Sequence, residues 1–440
     1  MSQEPVEAAA KVAEEAADGR RRSWVIDVRP LRGAAYRRMW IGNGVGFFGF
    51  QFTAVAVPVE MYAITDSSAW VGLLGVASLV PLLIFGLWGG AAADVVDRRR
   101  LLLASSMLAW LSTVGLLAQA VLGLNSPAVL LALTAVQSAG FAMSSPARQA
   151  IIPRIVPGDL VPAANTLAYT TTTAGGVLGP LAAGLIFGAW STGAGVTVAY
   201  AVDVLLFTVS FWATYRLPPI PPVHDDGTAP RPTAGLRGIA DGLRFLVTQP
   251  VLLLSFAVDI VAMVLAMPRA LFPEIAQDRF GGGSAVGWLF SAIAIGSLVG
   301  GLTSGWIGRV RRQGAALVVA VVGWGIAVGL AGLAHSLWLM VLLLAVGGAA
   351  DLVSAVYRQS ILQTFAPDRM RGRLQGVFTV VVAGGPRLGD LRAGATADIA
   401  GPTFSWAGGG FAAAGVAVVL AAAFPALLRY RPPVDAEVTR

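Results

Sequence analysis

The chain has 440 residues and contains no cysteine, one lysine (Lys11) and two histidines. Without cysteine there can be no disulfide and no thiolate metal site. His224 and His335 stand far apart in the sequence and suggest no metal cluster, so neither metal nor cofactor is expected. Charge is scarce. Only 12% of residues are Asp, Glu, Lys or Arg, against about 25% in a soluble domain. With 56% hydrophobic residues and a mean hydropathy of +0.72, the chain lacks the polar side chains to cover a water-facing surface. An ordinary soluble enzyme is excluded. A G-x-x-x-x-G-K-[ST] loop is also missing, which argues against an ATP-driven pump. Residues 1–22 mix Glu4, Glu7, Glu14, Glu15 and Asp18 with Arg20, Arg21 and Arg22. That segment has no apolar core, so it reads as a disordered cytoplasmic tail and not as a secretory signal.

Long apolar runs are what the chain does have. A membrane-spanning helix needs about 20 predominantly apolar residues. Twelve segments qualify: 39–63, 70–93, 101–123, 127–147, 163–190, 194–215, 250–273, 285–308, 314–334, 336–357, 373–400 and 404–428. They divide the chain into an N-terminal tail (1–37), a first six-helix bundle (38–216), a linker (217–249), a second bundle (250–429) and a C-terminal tail (430–440). The linker opens with a proline-rich stretch, Pro218-Pro219-Ile220-Pro221-Pro222, which cannot be helical throughout. Its second part, 234–246, reads as a short amphipathic helix lying on the membrane surface.

The net charge is +7. The arginines sit at the ends of the apolar runs, a pattern that orients a membrane protein and gives no reason to expect nucleic acid. With both termini on one side, 27 of the 31 basic residues fall on that side. Arg279 alone falls on the other, and Arg269, Arg387 and Arg392 lie inside spans. The positive-inside rule then places both termini in the cytoplasm.

The two halves repeat. At an offset of 210 residues, Arg148-Gln149 matches Arg358-Gln359, Pro157 matches Pro367 and Pro58 matches Pro268. Gly175, Gly179 and Gly184 match Gly385, Gly389 and Gly394. Parallel repeats of six helices place a binding site between the halves near the midplane. The predicted fold is therefore an all-α integral membrane protein: twelve transmembrane helices in two pseudo-symmetric six-helix bundles.

Local motifs carry a family resemblance. The loop after span 2 contains Gly90-Ala-Ala-Ala-Asp94-Val95-Val96-Asp97-Arg98-Arg99-Arg100, which is similar to G-x-x-x-D-R-x-G-R-R. Val95 replaces the Arg after the Asp, and Asp97 replaces the second Gly. Span 5 holds Gly175-x3-Gly179-Pro180-Leu-Ala-Ala183-Gly184, which resembles the antiporter motif G-x-x-x-G-P-x-x-G-G with Ala183 in place of one Gly. Span 4 has Val136 where the drug–proton pattern R-x-x-q-G has Arg, so a proton route through such an Arg is not expected. Together these resemble the major facilitator superfamily. The stretches SSPARQAIIPRIVP and YRQSILQTFAPDRMRGRLQG are similar to its enterobactin-exporter-like and multidrug-efflux branch.

The resemblance implies a multi-pass cytoplasmic-membrane secondary transporter, not an enzyme. Such a protein would export amphipathic small molecules, siderophore or drug-like, by alternating access with proton antiport. An importer or uniporter of a nutrient or lipid on the same fold is the alternative. Expected partners are the substrate, protons and the bilayer, with the chain working as a monomer. The resemblance also implies a conformational latch formed by Gly90, Asp94, Arg98, Arg99, Arg148 and Arg358. It associates the motif of Gly175, Gly179, Pro180 and Gly184 with export, although small residues at this spacing also serve simple helix packing.

Ionisable groups inside spans are functional candidates. A proton-coupled carrier needs a carboxylate that is charged in one state and neutral in another. The candidates are Asp259 first, then Asp203, Glu60 and Asp390. The competing reading makes them fixed partners of Arg269, Arg387 and Arg392, with Asp390 and Arg387 as helical neighbours. Asp351 and Arg358 share one helix face. If spans 1, 4, 7 and 10 line the cavity as in the superfamily, its candidates are Asn43, Phe47, Gln51, Gln137, Met263 and Asp351 beside Asp259.

Overall fold

A computed structural model describes residues 27–220, 236–367 and 370–431. The N-terminal tail before residue 27, the proline-rich linker from residue 221 and the last residues of the C-terminal tail lie outside these. All regular elements among the described residues are helical. The first half holds span 1 (Ala34–Thr65), span 2 (Ser68–Val95), span 3 (Arg98–Leu122), span 4 (Pro127–Ile155), span 5 (Val161–Ala189) and span 6 (Thr192–Tyr215). The second half holds span 7 (Pro250–Ala266, continued by Phe272–Phe280), span 8 (Ala285–Leu302), span 9 (Gln313–Leu333), span 10 (Leu337–Phe365), span 11 (Arg371–Ala400) and span 12 (Phe404–Ala423). Eleven of these are long and apolar enough to cross a membrane. Span 11 matches them in length at 30 residues but carries Arg387, Asp390, Arg392 and Asp398.

Packing repeats with the sequence. In the first half, span 1 packs on spans 5 and 6, span 2 on span 4, and span 3 on spans 4 and 6. Six spans later the same pairs recur: 7 with 11 and 12, 8 with 10, and 9 with 10 and 12. The halves meet through spans 2 and 11 and through spans 5 and 8, again related by the repeat. Glycine makes the second contact possible. A Cβ on Gly184 would lie 2.8 Å from the Gly287 Cα, so the two backbones touch. Large aliphatic side chains cover the outside, with Leu302 at 80% and Ile399 at 88% exposure. Such side chains face acyl chains, where their exposure carries no hydrophobic penalty.

Three details differ from the sequence expectation. Span 4 was predicted to end at 147 but continues to Ile155 through Pro146 and Pro153, so Arg148 is helical. Span 10 likewise extends past 357, which makes Arg358 helical too. Span 7 was predicted as one run but breaks. Pro268 cannot donate a helical hydrogen bond and forces Met267 into an extended conformation. Its repeat counterpart Pro58 lies within an unbroken helix. The linker helix is present as Leu236–Val247. It docks on spans 7 and 11, and its Leu246 joins the core.

The two ends of the bundle differ. Call the end that bears the span 1–2 turn the loop end, and the opposite one the terminal end. At the loop end, the Ser67 hydroxyl donates to Asp398 at 2.5 Å, the Ala69 N–H donates to the same carboxylate at 3.3 Å, and Ser68 donates to Glu274. Gly394 lies against the Ser68 carbonyl. Deeper, Ser291 donates to the Val177 carbonyl at 3.0 Å, and Arg387 Nε donates to Ser78 at 3.0 Å. These bonds join the halves, and they run from the loop end to the middle. The molecule is closed at the loop end.

Candidate transport site

Between the halves lies a cavity of about 500 Å³. Span 1 contributes Phe50, Gln51 and Pro58; span 2 contributes Gly75 and Ser78; span 4 contributes Thr134, Gln137 and Phe141. Span 5 adds Gly176 and Pro180, and the second half supplies Arg269, Phe290, Arg387 and Asp390. The walls are mostly apolar with a few convergent polar groups, the usual make-up of a small-molecule site. Two arginines against one aspartate leave the cavity with an excess positive charge.

The break in span 7 accounts for part of this arrangement. A helix end leaves its last carbonyls without partners. Arg392 of span 11 supplies them: its Nε donates to the Val264 carbonyl and its Nη2 to that of Leu265, while Nη1 reaches the Ser405 carbonyl. Arg392 therefore caps a broken helix and has no acid partner among the described residues. Asp390 accepts the Ala270 N–H at 3.2 Å just past the break. Arg387 donates to Ser78 of the other half and, through Nη1, to its own Ala383 carbonyl at 2.7 Å. The charges that make span 11 look unlike a membrane helix thus bond the break in span 7 and the joint between halves.

Of the four proton candidates, the structure puts Asp390 alone in the cavity lining. Asp259 is 2% exposed and pairs with Arg358 of span 10, not with Arg269, Arg387 or Arg392. Asp351, half-buried, stands 3.8 Å from the same guanidinium. One arginine is thus shared between two carboxylates. Asp203 is fully buried and accepts the Thr53 hydroxyl on Oδ2 at 2.5 Å, while Oδ1 has no hydrogen-bond partner. Gly49 gives it room, because a Cβ there would lie 2.8 Å from Oδ1. Glu60 accepts hydrogen bonds from the Tyr200 hydroxyl and the Gln119 amide. Neither Asp203 nor Glu60 has a cation partner among the described residues.

Gln51 and Gln137 line the cavity, and Gln137 also donates to Thr113 at 3.0 Å. Asn43 and Phe47 lie elsewhere, in a pocket of about 230 Å³ toward the terminal end. Met263 is buried against Gly385 and Gly389 of span 11. Span 10 contributes nothing to the cavity lining, because the glycine contacts of Gly296 with Ala345 and of Gly348 with Ile293 draw it tightly onto span 8. Spans 2, 5, 8 and 11 line the cavity beside spans 1 and 4, and span 7 reaches it only at its break, through Arg269 and Ala270. Arg269 and Arg387, expected only as partners of acids, line the cavity together with Ser78, Thr134 and Phe290, which no sequence motif marks. The two arginines did announce themselves, as cations inside apolar spans.

The antiporter-type motif seats span 5. Gly175 lies against Phe47, Gly179 against Gln51 and Gly184 against Gly287, while Pro180 faces the cavity. In the latch loop, the backbone of Gly90 and Asp94 is helical, within span 2. Asp97, standing where the pattern has Gly, caps span 3: its carboxylate accepts the Arg100 N–H at 3.0 Å and the Ile220 N–H at 3.1 Å. Arg98 donates its N–H to the Ile220 carbonyl at 3.1 Å. Arg99 donates to the Tyr215 carbonyl at 2.6 Å and stacks on the Tyr215 ring. These bonds tie the loop to the end of span 6.

Two six-span halves around a central cavity, closed at one end, define a secondary transporter of the major facilitator superfamily. The family model described as "Transmembrane secretion effector" matches residues 26–437, and the chain belongs to that family. It is 27% identical over 423 residues to the enterobactin exporters EntS of Shigella boydii and Escherichia coli, covering 94% of this chain and 98% of theirs. Among solved structures, the nucleoside transporter NupG superposes with a TM-score of 0.71 at 17% identity, covering 90% of this chain and all of NupG. A bacterial homologue of the lysosomal transporter Spinster, inward-facing and unoccupied, superposes at 0.67 with 18% identity, covering 92% and 100%. These two likenesses concern the fold.

Proposed function

We propose that the protein exports amphipathic small molecules, siderophore or drug-like, across the cytoplasmic membrane by alternating access in exchange for protons. The observation that carries export is the similarity to enterobactin exporters along 94% of the chain. The arginine distribution supports placing the terminal end in the cytoplasm, so that closure at the loop end corresponds to a cavity facing inward. Substrate would then reach Gln51, Gln137 and the Arg269–Arg387–Asp390 group from inside.

Asp259 is the coupling group in this reading, with Arg358 as its switchable partner. A proton arriving on Asp259 releases the guanidinium to Asp351, already 3.8 Å away, which changes the packing between spans 7 and 10 without leaving a bare charge. Arg98 and Arg99, with Asp97, act as the latch by tying the start of span 3 to the end of span 6 at the terminal end; the Asp94 side chain lies outside those described. The chain works as a monomer.

Inside-out vesicles from cells expressing the protein test the direction. Uptake of a labelled catecholate siderophore and of a fluorescent cationic dye is followed with and without an imposed proton gradient. Gradient-driven uptake of either compound supports export. Uptake of neither, with a nutrient or lipid carried instead, favours the importer reading.

A further inference from the structure

Arg148 and Arg358 occupy equivalent places in the repeat, yet their surroundings are opposite. Arg358 meets Asp259 and Asp351. The residues 210 positions earlier are Gly49 and Phe141, so the first half has no acid where the second has two. Arg148 has neither an ion pair nor a hydrogen bond among the described residues, and its Nε is buried without a partner. An uncompensated cation in an apolar setting is costly and is relieved by any anion that can reach it.

A place for that anion exists. Arg148 lines the pocket of about 230 Å³ at the terminal end, together with Trp40, Asn43, Phe47, Phe141 and Gln149. No carboxylate lines it. The Trp40 indole N–H donates to the Leu167 carbonyl at 3.4 Å and the neighbouring Tyr36 hydroxyl to that of Ala164 at 2.6 Å. Both rings are thereby fixed; Tyr36 is buried beneath the pocket, and the half-buried Trp40 keeps an apolar face for a ligand. Asn43 and Gln149 are amide donors at the rim. The volume lies below the range of about 300–1,000 Å³ typical of drug-sized ligands, which fits one or two fused rings.

We propose that this pocket is a binding site for aromatic monoanions of the aryl carboxylate or phenolate type, with Arg148 as counter-ion and the rings of Trp40, Phe47 and Phe141 as walls. Its binding chemistry stands on the geometry alone; its place as the first station on the outward route rests on the export reading. An anion held here lies beside Phe141, which lines both this pocket and the central cavity. Phe141 is thus the partition that a substrate passes between the two.

The test uses purified full-length protein in detergent, with 1-naphthoate and its neutral amide 1-naphthamide as probes and calorimetric titration as readout. Naphthoate is expected to bind at least tenfold tighter than naphthamide. Arg148→Gln removes that preference and leaves naphthamide affinity in place. Phe141→Asp places an internal carboxylate where the second half has Asp351, and it abolishes naphthoate binding even if Arg148→Gln fails to fold. Naphthoate quenches Trp40, so the quenching is reduced in Trp40→Phe. Equal wild-type affinities overturn the proposal. So does a preference that survives Arg148→Gln, which would move the anion to Arg269 and Arg387 in the central cavity. Selective naphthoate binding in a protein that exports neither siderophore nor dye sinks the export reading and leaves this one standing; export with no charge preference at Arg148 does the reverse.

Discussion

The two halves share a fold, a packing scheme and an arginine, but they handle charge differently. In the second half every buried acid near an arginine is used: Asp259 and Asp351 share Arg358, and Asp390 sits beside Arg387. In the first half the buried acids bond only neutral donors, Asp203 to Thr53 and Glu60 to Tyr200 and Gln119, while Arg148 stands alone. Pseudo-symmetry thus fixes where helices go and leaves the chemistry of each half free to diverge. The second half holds a compensated charge cluster. The first half holds charges that await a partner.

The comparison can be broken at several points. The largest effect is expected where both halves are locked together. Because the natural chain has no cysteine, the pair Ser67→Cys and Asp398→Cys can be joined cleanly by a short cross-linker. Cross-linking should arrest transport almost completely, and cleavage of the linker should restore it, as measured by vesicle uptake. Transport that continues through the cross-link would show that the loop end does not open.

The next effect separates the two arginines. Arg358→Gln leaves two carboxylates without their cation and should cost about 3 kcal/mol or more of stability, visible as a lower melting temperature in detergent. Arg148→Gln removes a cation with no partner to lose and should leave the melting temperature unchanged or raised. Similar losses from both would erase the asymmetry. The double variant Asp259→Asn, Arg358→Gln should recover much of the loss, because it removes both members of the buried pair. The smallest effect is expected at Asp203. An Asn there can keep its carbonyl on Thr53 and turn its amide to the side where Oδ1 now has no partner, so Asp203→Asn should change stability by no more than about 1 kcal/mol.

Much of the fold was legible because a bilayer forces its signature on a sequence. Twelve apolar runs, arginines confined to alternate loops and glycines recurring at a fixed offset all follow from spanning, orientation and repeat. Within the site, Gln51, Gln137 and Asp390 stood out as polar groups inside apolar spans and do line the cavity. What escaped was pairing across helices. Nothing local ties Asp259 to Arg358, 99 positions apart in sequence. The break at Pro268 was hidden because its twin Pro58 sits in an intact helix, and the difference lies in Arg392, which can satisfy the carbonyls that a break exposes. Arg148 falls outside span 4 as an apolar run, which ends at 147, whereas the helix continues through Pro146 and Pro153 to Ile155.

Proton coupling through the Asp259–Arg358 pair, as proposed above, has one decisive test. The most direct measurement compares two modes of transport in proteoliposomes carrying the wild type or the double variant Asp259→Asn, Arg358→Gln. One mode is accumulation of labelled substrate driven by a proton gradient; the other is exchange of labelled for unlabelled substrate without a gradient. If the pair couples protons, the double variant keeps exchange and loses driven accumulation. Driven accumulation at the wild-type level in the double variant would contradict it.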